Sequence, residues 1–400
     1  MTGFDPLVHP EPGLVSAAGL GHSATQMGAF MDRAEILKDI WQAGVDAVRG
    51  DRAVTTALAH EQVARPDRIL AVGKAAASMA QAARDFFGVD IPTLVVTKYG
   101  HAEGLDPRID VIEAAHPVPD ENSLRGGRAL FGAVRDLGAD THLLMLVSGG
   151  ASALAELPAA GLSLHALQAE NSRLLAEGLD IHAMNARRQN MSDIKAGKLL
   201  ARFRGALVTT LAISDVEGDA LSVIGSGIGD VPDAVRFSFD PFIVASNAIA
   251  RDACAARAKA LGIPVLDNAE TLYDDVFTLA SRLGPVFCQS ATGLHILGGE
   301  PTVTLPPDPG EGGRNQALAL ALAEKIAGQE RLSVLVAGTD GTDGPTTAAG
   351  GLVDGTTWGD GARAALRAAD SGRFLRNRGA LFTSGPTGTN VMDLALALKT

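Results

Sequence analysis

The chain has 400 residues, a net charge of −12 and 46% hydrophobic residues, but only 4% aromatic ones. One hydrophobic core rarely serves that length, so two domains are expected. The negative charge, the lack of any basic run and the scarcity of aromatic rings argue against nucleic acid and anionic membrane as partners.

No apolar stretch approaches the roughly 18 residues that a membrane-spanning helix needs. Residues 1–30 are rich in Gly, Pro, Ser and His, show no periodicity and lack the pattern of a secretory signal. They read as a disordered extension, with the folded chain starting near Met31. Cys254 and Cys288 form no metal or redox spacing, which fits reduced thiols in a cytoplasmic protein.

From there the elements alternate. Asp32 can cap a helix carrying Ile36, Leu37, Ile40 and Trp41 at helical spacing. Arg68–Val72 is a short buried strand that stops at Gly73-Lys74, and an Ala-rich helix runs from Ala75 to Phe87. Leu94–Thr97 and Val111–Ala114 read as further strands, and Ser123–Leu137 as a helix. The apolar run Leu143–Val147 then breaks at Ser148-Gly149-Gly150, before the small-residue segment that begins at Ala151 and includes Ser152. A strand buried on both faces, followed by glycines and a helix start, can turn backbone N–H groups toward a phosphate or carboxylate. No Gly-Lys-Ser/Thr follows, so this is not a full Walker pattern.

Helical patterns over Ser163–Leu179 and Met184–Arg202 come next, the second setting Asn185, Arg188, Ser192 and Lys195 on one polar, cationic face. Leu207–Ile213 is a strand ending in carboxylates, Asp215 and Asp219 among them. The glycines at 225, 227 and 229 make no dinucleotide site, because no helix and no acidic strand end support them. Helix Asn247–Leu261 and a short strand at Pro264–Leu266 are expected to close the first domain. Residues 268–289 read as a helix and connector, and 290–400 as the second domain. In it, Leu294–Leu297 and Thr302–Leu305 read as strands around Glu300. Arg314-Asn315-Gln316 opens an apolar helix reaching about Ala327. The strand Val334–Ala337 ends in a loop carrying Asp340 and Asp343, suited to a metal or a hydroxyl-bearing substrate. A second Gly-rich polar loop holds Asn390.

Strands alternating with helices over more than a hundred residues give an α/β class with a doubly wound first domain. Strand ends that bring together backbone donors (Gly149, Gly150), cations (Lys74, Arg188, Lys195, Arg314) and carboxylates (Asp215, Asp219, Asp340, Asp343) suit phosphoryl transfer. No G-x-S-x-G elbow and no zinc-ligand spacing is present.

The motifs AVGKAAASMA, HPVPDENS, LVSGGASAL, N-x₂-R-x₃-S-x₂-K, ISDVEGD, GGEPTVTL, GGRNQALALA, AGTDGTDGPTTAAGGLVDGTT and SGPTGTN occur in order over about residues 32–400. In this the chain resembles the glycerate 2-kinase family, a DUF4147 domain followed by a MOFRL domain and formerly labelled hydroxypyruvate reductase. The resemblance implies a Rossmann-like N-terminal domain over 31–267, a smaller α/β MOFRL domain over 290–400, and an active site in the cleft between them. It implies ATP- and Mg²⁺-dependent phosphorylation of D-glycerate, a small-molecule substrate, at its 2-hydroxyl. A homodimer is left open. By motif, Lys74 would contact the transferred phosphate, Arg314 would close on substrate, and Asp215 would serve as base or metal ligand. Ser148, Gly149, Gly150 and Ser152 would form an anion loop. Asn185, Arg188 and Lys195, with Glu300, Asn315 and Asn390, would bind substrate or nucleotide, and Asp340 and Asp343 would join Asp215 on the metal.

The chain departs from the family pattern at Asn190, where a histidine is usual, and at Gly225-Ser226-Gly227-Ile228. A related hydroxy acid such as a tetronate is therefore an alternative substrate. Two other classes compete: a nicotinamide-dependent reductase, for which no convincing fingerprint exists, and a phosphosugar-binding or isomerase-like module.

Overall fold

A computed structural model describes residues 32–176, 187 and 189–400. The expected N-terminal extension, Asn185 and Arg188 fall outside the described residues.

The first sheet contains β1 (Arg68–Val72), β2 (Thr93–Lys98), β3 (Asp110–Ala114), β4 (His142–Val147), β5 (Leu207–Ile213) and β6 (Ser238–Ala245). All are parallel, in the order β3-β2-β1-β4-β5-β6. The order reverses between β1 and β4, which opens a crevice at their C-terminal ends. β4 is buried at every position, as its unbroken apolar run requires. Helices α1 (Arg33–Ala47), α2 (Gly50–His60), α3 (Ala76–Phe87) and α4 (Glu121–Arg135) surround this sheet or link it to the second. α4 begins two residues before the expected Ser123, because Asp120 and Ser123 form a reciprocal cap around its first turn. α5 (Ala151–Leu154) is a single turn after the Gly149-Gly150 break, and α6 (Leu164–Ala176) follows.

Residues 191–199 are turns, with Ala196 and Gly197 at positive φ. The long helix expected over Met184–Arg202 therefore does not carry Ser192 and Lys195 on a common face. Helical spacing alone could not reveal the break.

The second sheet runs β11-β10-β9-β12-β8-β7. Its strands are β7 (Val265–Glu270), β8 (Gly293–Gly299), β9 (Leu332–Gly338), β10 (Gly350–Asp354), β11 (Leu381–Phe382) and β12 (Asp393–Lys399). β7 and β8 are parallel and the remaining pairs antiparallel. The strand read at Pro264–Leu266 therefore does not close the first domain; it lengthens into β7 and joins the second sheet beside β8. Helix α7 (Asn247–Ala260) and α1 pack on one face of that sheet, and α8 (Val276–Gln289) and α9 (Arg314–Lys325) on the other. Thr302–Leu305 makes only a single bridge, Thr302 with Asp275, and is not a strand. The Pro306-Pro307 pair beyond it cannot extend a ladder.

The largest buried cluster holds Ile69, Leu144 and Leu211 of the first sheet together with Ile296, Leu335 and Leu396 of the second. Between them lie Leu37, Ile40 and Trp41 of α1. The Trp41 ring meets Phe382 edge to face at 5.1 Å. One shared core thus holds the two sheets at a fixed offset, and with it the edges of both that carry the polar loops. No helix among the described residues is long and apolar enough to cross a membrane.

Candidate active site

A cavity of about 320 Å³ lies where the C-terminal ends of the first sheet meet the loops of the second. Lys74 and Asp215 line it from the first sheet. Glu300, Arg314, Asp340, Thr342, Asp343, Gly344, Asn390, Met392 and Asp393 line it from the second. Residues separated by more than 300 positions in the chain thus face one another.

Lys74 stands just beyond β1, and its N–H donates to the Gly149 carbonyl at 2.9 Å. The Ser148 hydroxyl accepts from the Ala75 N–H at 3.0 Å. It is buried, so its work is to tie the end of β4 to the start of α3. Gly149 abuts Asp215 so closely that a Cβ on it would lie 2.1 Å from Oδ2. Gly150 is left-handed (φ +84°), and a Cβ there would sit 3.1 Å from both the Lys74 Cγ and the His116 Cδ2. These two positions need glycine for close approach and for backbone conformation. Their N–H groups donate to no described residue. Ser152 is engaged with Ser226 at 2.9 Å.

Asp215 is half-buried and accepts no side-chain hydrogen bond among the described residues. Burial pushes its carboxyl up to about 6; Lys74 opposes the shift and Glu300 adds to it. The group can therefore change protonation near neutral pH. His116 is also half-buried, and burial, with Lys74 and Lys98 beside it, holds its imidazole down to about 4. It is neutral at pH 7.

Arg314 opens α9. Its Nε donates to Asp393 Oδ2 at 2.6 Å, and Nη1 lies 2.8 Å from Glu300. Burial opposes its charge, but Asp393 and Glu300 outweigh that and raise its pKa. Asn315 donates to Asp393 Oδ1 at 2.9 Å. Asp393, 2% exposed, anchors both residues.

Several expected roles change. Asp343 is a helix cap: Oδ1 accepts from Asn315 N–H, and Oδ2 from Gln316 N–H and Nε2, at 2.8–3.1 Å. Both oxygens thus hold the first turn of α9. Lys195 is buried in an ion pair with Glu156 and does not line the cavity. Asp340 does line the cavity, where Oδ1 accepts from the Thr342 N–H and hydroxyl. Asn390 also lines it, accepting from the Met392 N–H at 3.3 Å. Among the described residues, no group of three or more His, Cys, Asp and Glu stands ready to hold a metal by protein ligands alone.

Sequence reasoning missed Asp393 and His116. Asp393 precedes an apolar run as an ordinary strand-start acid would. The HPVPDENS segment that contains His116 marks the family resemblance but gives its histidine no role.

Two family models match the chain: a domain of unknown function, DUF4147, over residues 36–252, and the MOFRL family over 293–393. The chain belongs to the glycerate 2-kinase family. A D-glycerate 2-kinase of Thermotoga maritima is 36% identical over 90% of this chain and 97% of its own length. A glycerate 2-kinase of Pyrococcus horikoshii is 35% identical, covering 83% of this chain and 87% of that one. An Agrobacterium vitis protein with a provisional hydroxypyruvate reductase name is 37% identical over 82% of this chain and 98% of its own. The crystal structure of a glycerate kinase from Thermotoga maritima superposes with a TM-score of 0.84 at 33% identity, covering 92% of this chain and 99% of that one. This glycerate 2-kinase family member is accordingly an enzyme of the kinase class with a mixed α/β fold.

Proposed function

We propose that the enzyme transfers the γ-phosphoryl group of ATP to the 2-hydroxyl of D-glycerate, giving 2-phosphoglycerate and ADP, in the cavity between the two sheets. The observation that carries this reading is the pairing of Asp215 and Lys74 across the Gly149-Gly150 turn. A carboxylate with pKa about 6 is ionised at neutral pH and ready to take a proton. A lysine ammonium beside it offsets charge on the group in transfer.

The bond changes balance simply. The hydroxyl oxygen forms a bond to the γ-phosphorus, the bond to the β–γ bridging oxygen breaks, and ADP leaves with those electrons. Asp215 takes the hydroxyl proton. Arg314, held by Asp393 and Glu300, presents its remaining guanidinium surface to the cavity, and the free N–H groups of Gly149 and Gly150 can receive anionic oxygen. Among the described residues lining the cavity, five carboxylates face two cations, so a polyanion entering alone would be repelled.

That excess of carboxylates fits a divalent cation. Asp340, with one oxygen outside its turn, suits Mg²⁺, which takes one or two carboxylates and completes its shell with phosphates and water. When bound, Mg²⁺ would offset phosphate charge. Lys74, Asp215 and Arg314 would act beside it.

The test is ADP release with ATP·Mg²⁺ against a panel of D-glycerate, a four-carbon hydroxy acid and hydroxypyruvate with NADH. Preferred turnover of D-glycerate supports the reading. NADH oxidation without ADP release would replace it with a reductase.

A further inference from the structure

A second group of basic side chains lies beside the cavity without lining it. Lys98 ends β2, in register with Ala114, which ends β3; His116 follows two residues later. Lys98 is half-buried and makes no ion pair and no side-chain hydrogen bond among the described residues. The His101 Nδ1 lies 3.2 Å from the Lys74 carbonyl, which brings the β2–β3 loop against the β1 end. The nearby acids are otherwise engaged. Glu113 accepts from the Gly100 N–H at 2.8 Å, and Asp120 accepts from the Tyr99 hydroxyl at 2.6 Å and caps α4.

We infer that Lys98 and His116 form the seat for the carboxylate of the hydroxy-acid substrate, beside a base that faces its hydroxyl. This rests on the kinase reading above and deepens it. The geometry lies in two consecutive glycines. A Cβ on Gly149 would meet Asp215, and one on Gly150 would meet His116 and Lys74. Asp215 on one side and His116 with Lys74 on the other thus flank one turn, and Lys98 stands beside His116 at the end of β2. In a 2-hydroxy acid the hydroxyl and carboxylate sit on neighbouring carbons, so one small ligand can meet both sides of the turn.

Charge sorts the two ligands. The carboxylate-rich cavity accepts a phosphate chain only with a cation, whereas a bare carboxylate is favoured on the Lys98 side. The neutral His116 contributes a directed hydrogen bond, and Lys98 the charge.

The experiment compares wild type with Lys98→Ala, Lys98→Arg and His116→Ala. Steady-state ADP release is measured with D-glycerate varied and then with ATP varied, alongside calorimetric titration of D-glycerate and D-erythronate without nucleotide. Lys98→Ala and His116→Ala should each raise KM for the acid about tenfold or more, with KM for ATP within twofold. Lys98→Arg should recover most of the loss, since it keeps the charge. Unchanged acid KM, or an equal rise for ATP, would overturn the inference. If wild type shows no turnover but binds either acid, and Lys98→Ala loses that binding, the kinase reading fails and the seat stands. If wild type binds neither acid, the seat fails as well.

Discussion

Asp215 carries a pH signature by which its proposed role can be tested. Because its carboxyl is raised to about 6 and must be ionised to take a proton, kcat/KM should be flat above neutrality and fall as pH drops through 6. Asp215→Asn should cut turnover by about 10²-fold or more and abolish that acidic limb. A profile that keeps its limb in the Asn variant would assign the base elsewhere. Lys74→Ala and Arg314→Ala should both depress kcat, by about 10²-fold each, but their stabilities should part. Lys74 makes no side-chain ion pair or hydrogen bond among the described residues, so its removal should leave thermal unfolding unchanged. Arg314→Ala strands the buried Asp393 carboxylate and should cost about 1–3 kcal/mol, measured by denaturant unfolding. From sequence alone both positions read as loop cations whose loss spares the fold. The buried partner that separates them lies 79 residues beyond Arg314 and became visible only when β12 was placed.

At the scale of elements, the strand-end turns do the positioning. Gly149→Ala would drive a methyl group into Asp215. The carboxylate must move, so the variant should lose kcat while its circular dichroism and Tm stay close to wild type. The loop after β9 holds α9 through Asp343. Asp343→Ala should therefore destabilise the protein by about 1–2 kcal/mol, measured by denaturant unfolding. β1, β4 and β5 were legible because short, largely apolar and β-branched runs cut off by Gly or Ser leave little choice but buried parallel strands. β10 and β12 were not. Gly350-Gly351 offers no side-chain alternation, and the Leu/Ala alternation of β12 gives equal support to a helix. The helix projected across Ser192 and Lys195 failed for a related reason: good helix formers filled a stretch that tertiary contacts with Glu156 and the Ser226–Gly227 loop hold as turns.

In the whole molecule, the two sheets share one buried layer, and α1 lies in it, packed on the second sheet. Arg33 donates to Ser333 and Thr400 of the second sheet, while Trp41 is wholly buried in the common core. Trp41→Ala should cost about 3–5 kcal/mol and lower a single calorimetric transition, because neither sheet keeps its packing without that layer. Two separate transitions would contradict a shared core. The sequence placed α1 and the strand at Pro264 in the first domain on order alone; the side-chain packing that allots them to the second sheet is long-range and leaves no local mark. The same arrangement brings Lys74 and Asp215 opposite Arg314 and Asp340, which is the basis of the proposed reaction. The most direct test is to incubate the enzyme with ATP, Mg²⁺ and D-glycerate and follow the product by phosphorus NMR. A 2-phosphoglycerate resonance rising in step with ADP is the expected result. A 3-phosphoglycerate resonance, or no phosphorylated acid at all, would contradict the placement of the 2-hydroxyl against Asp215.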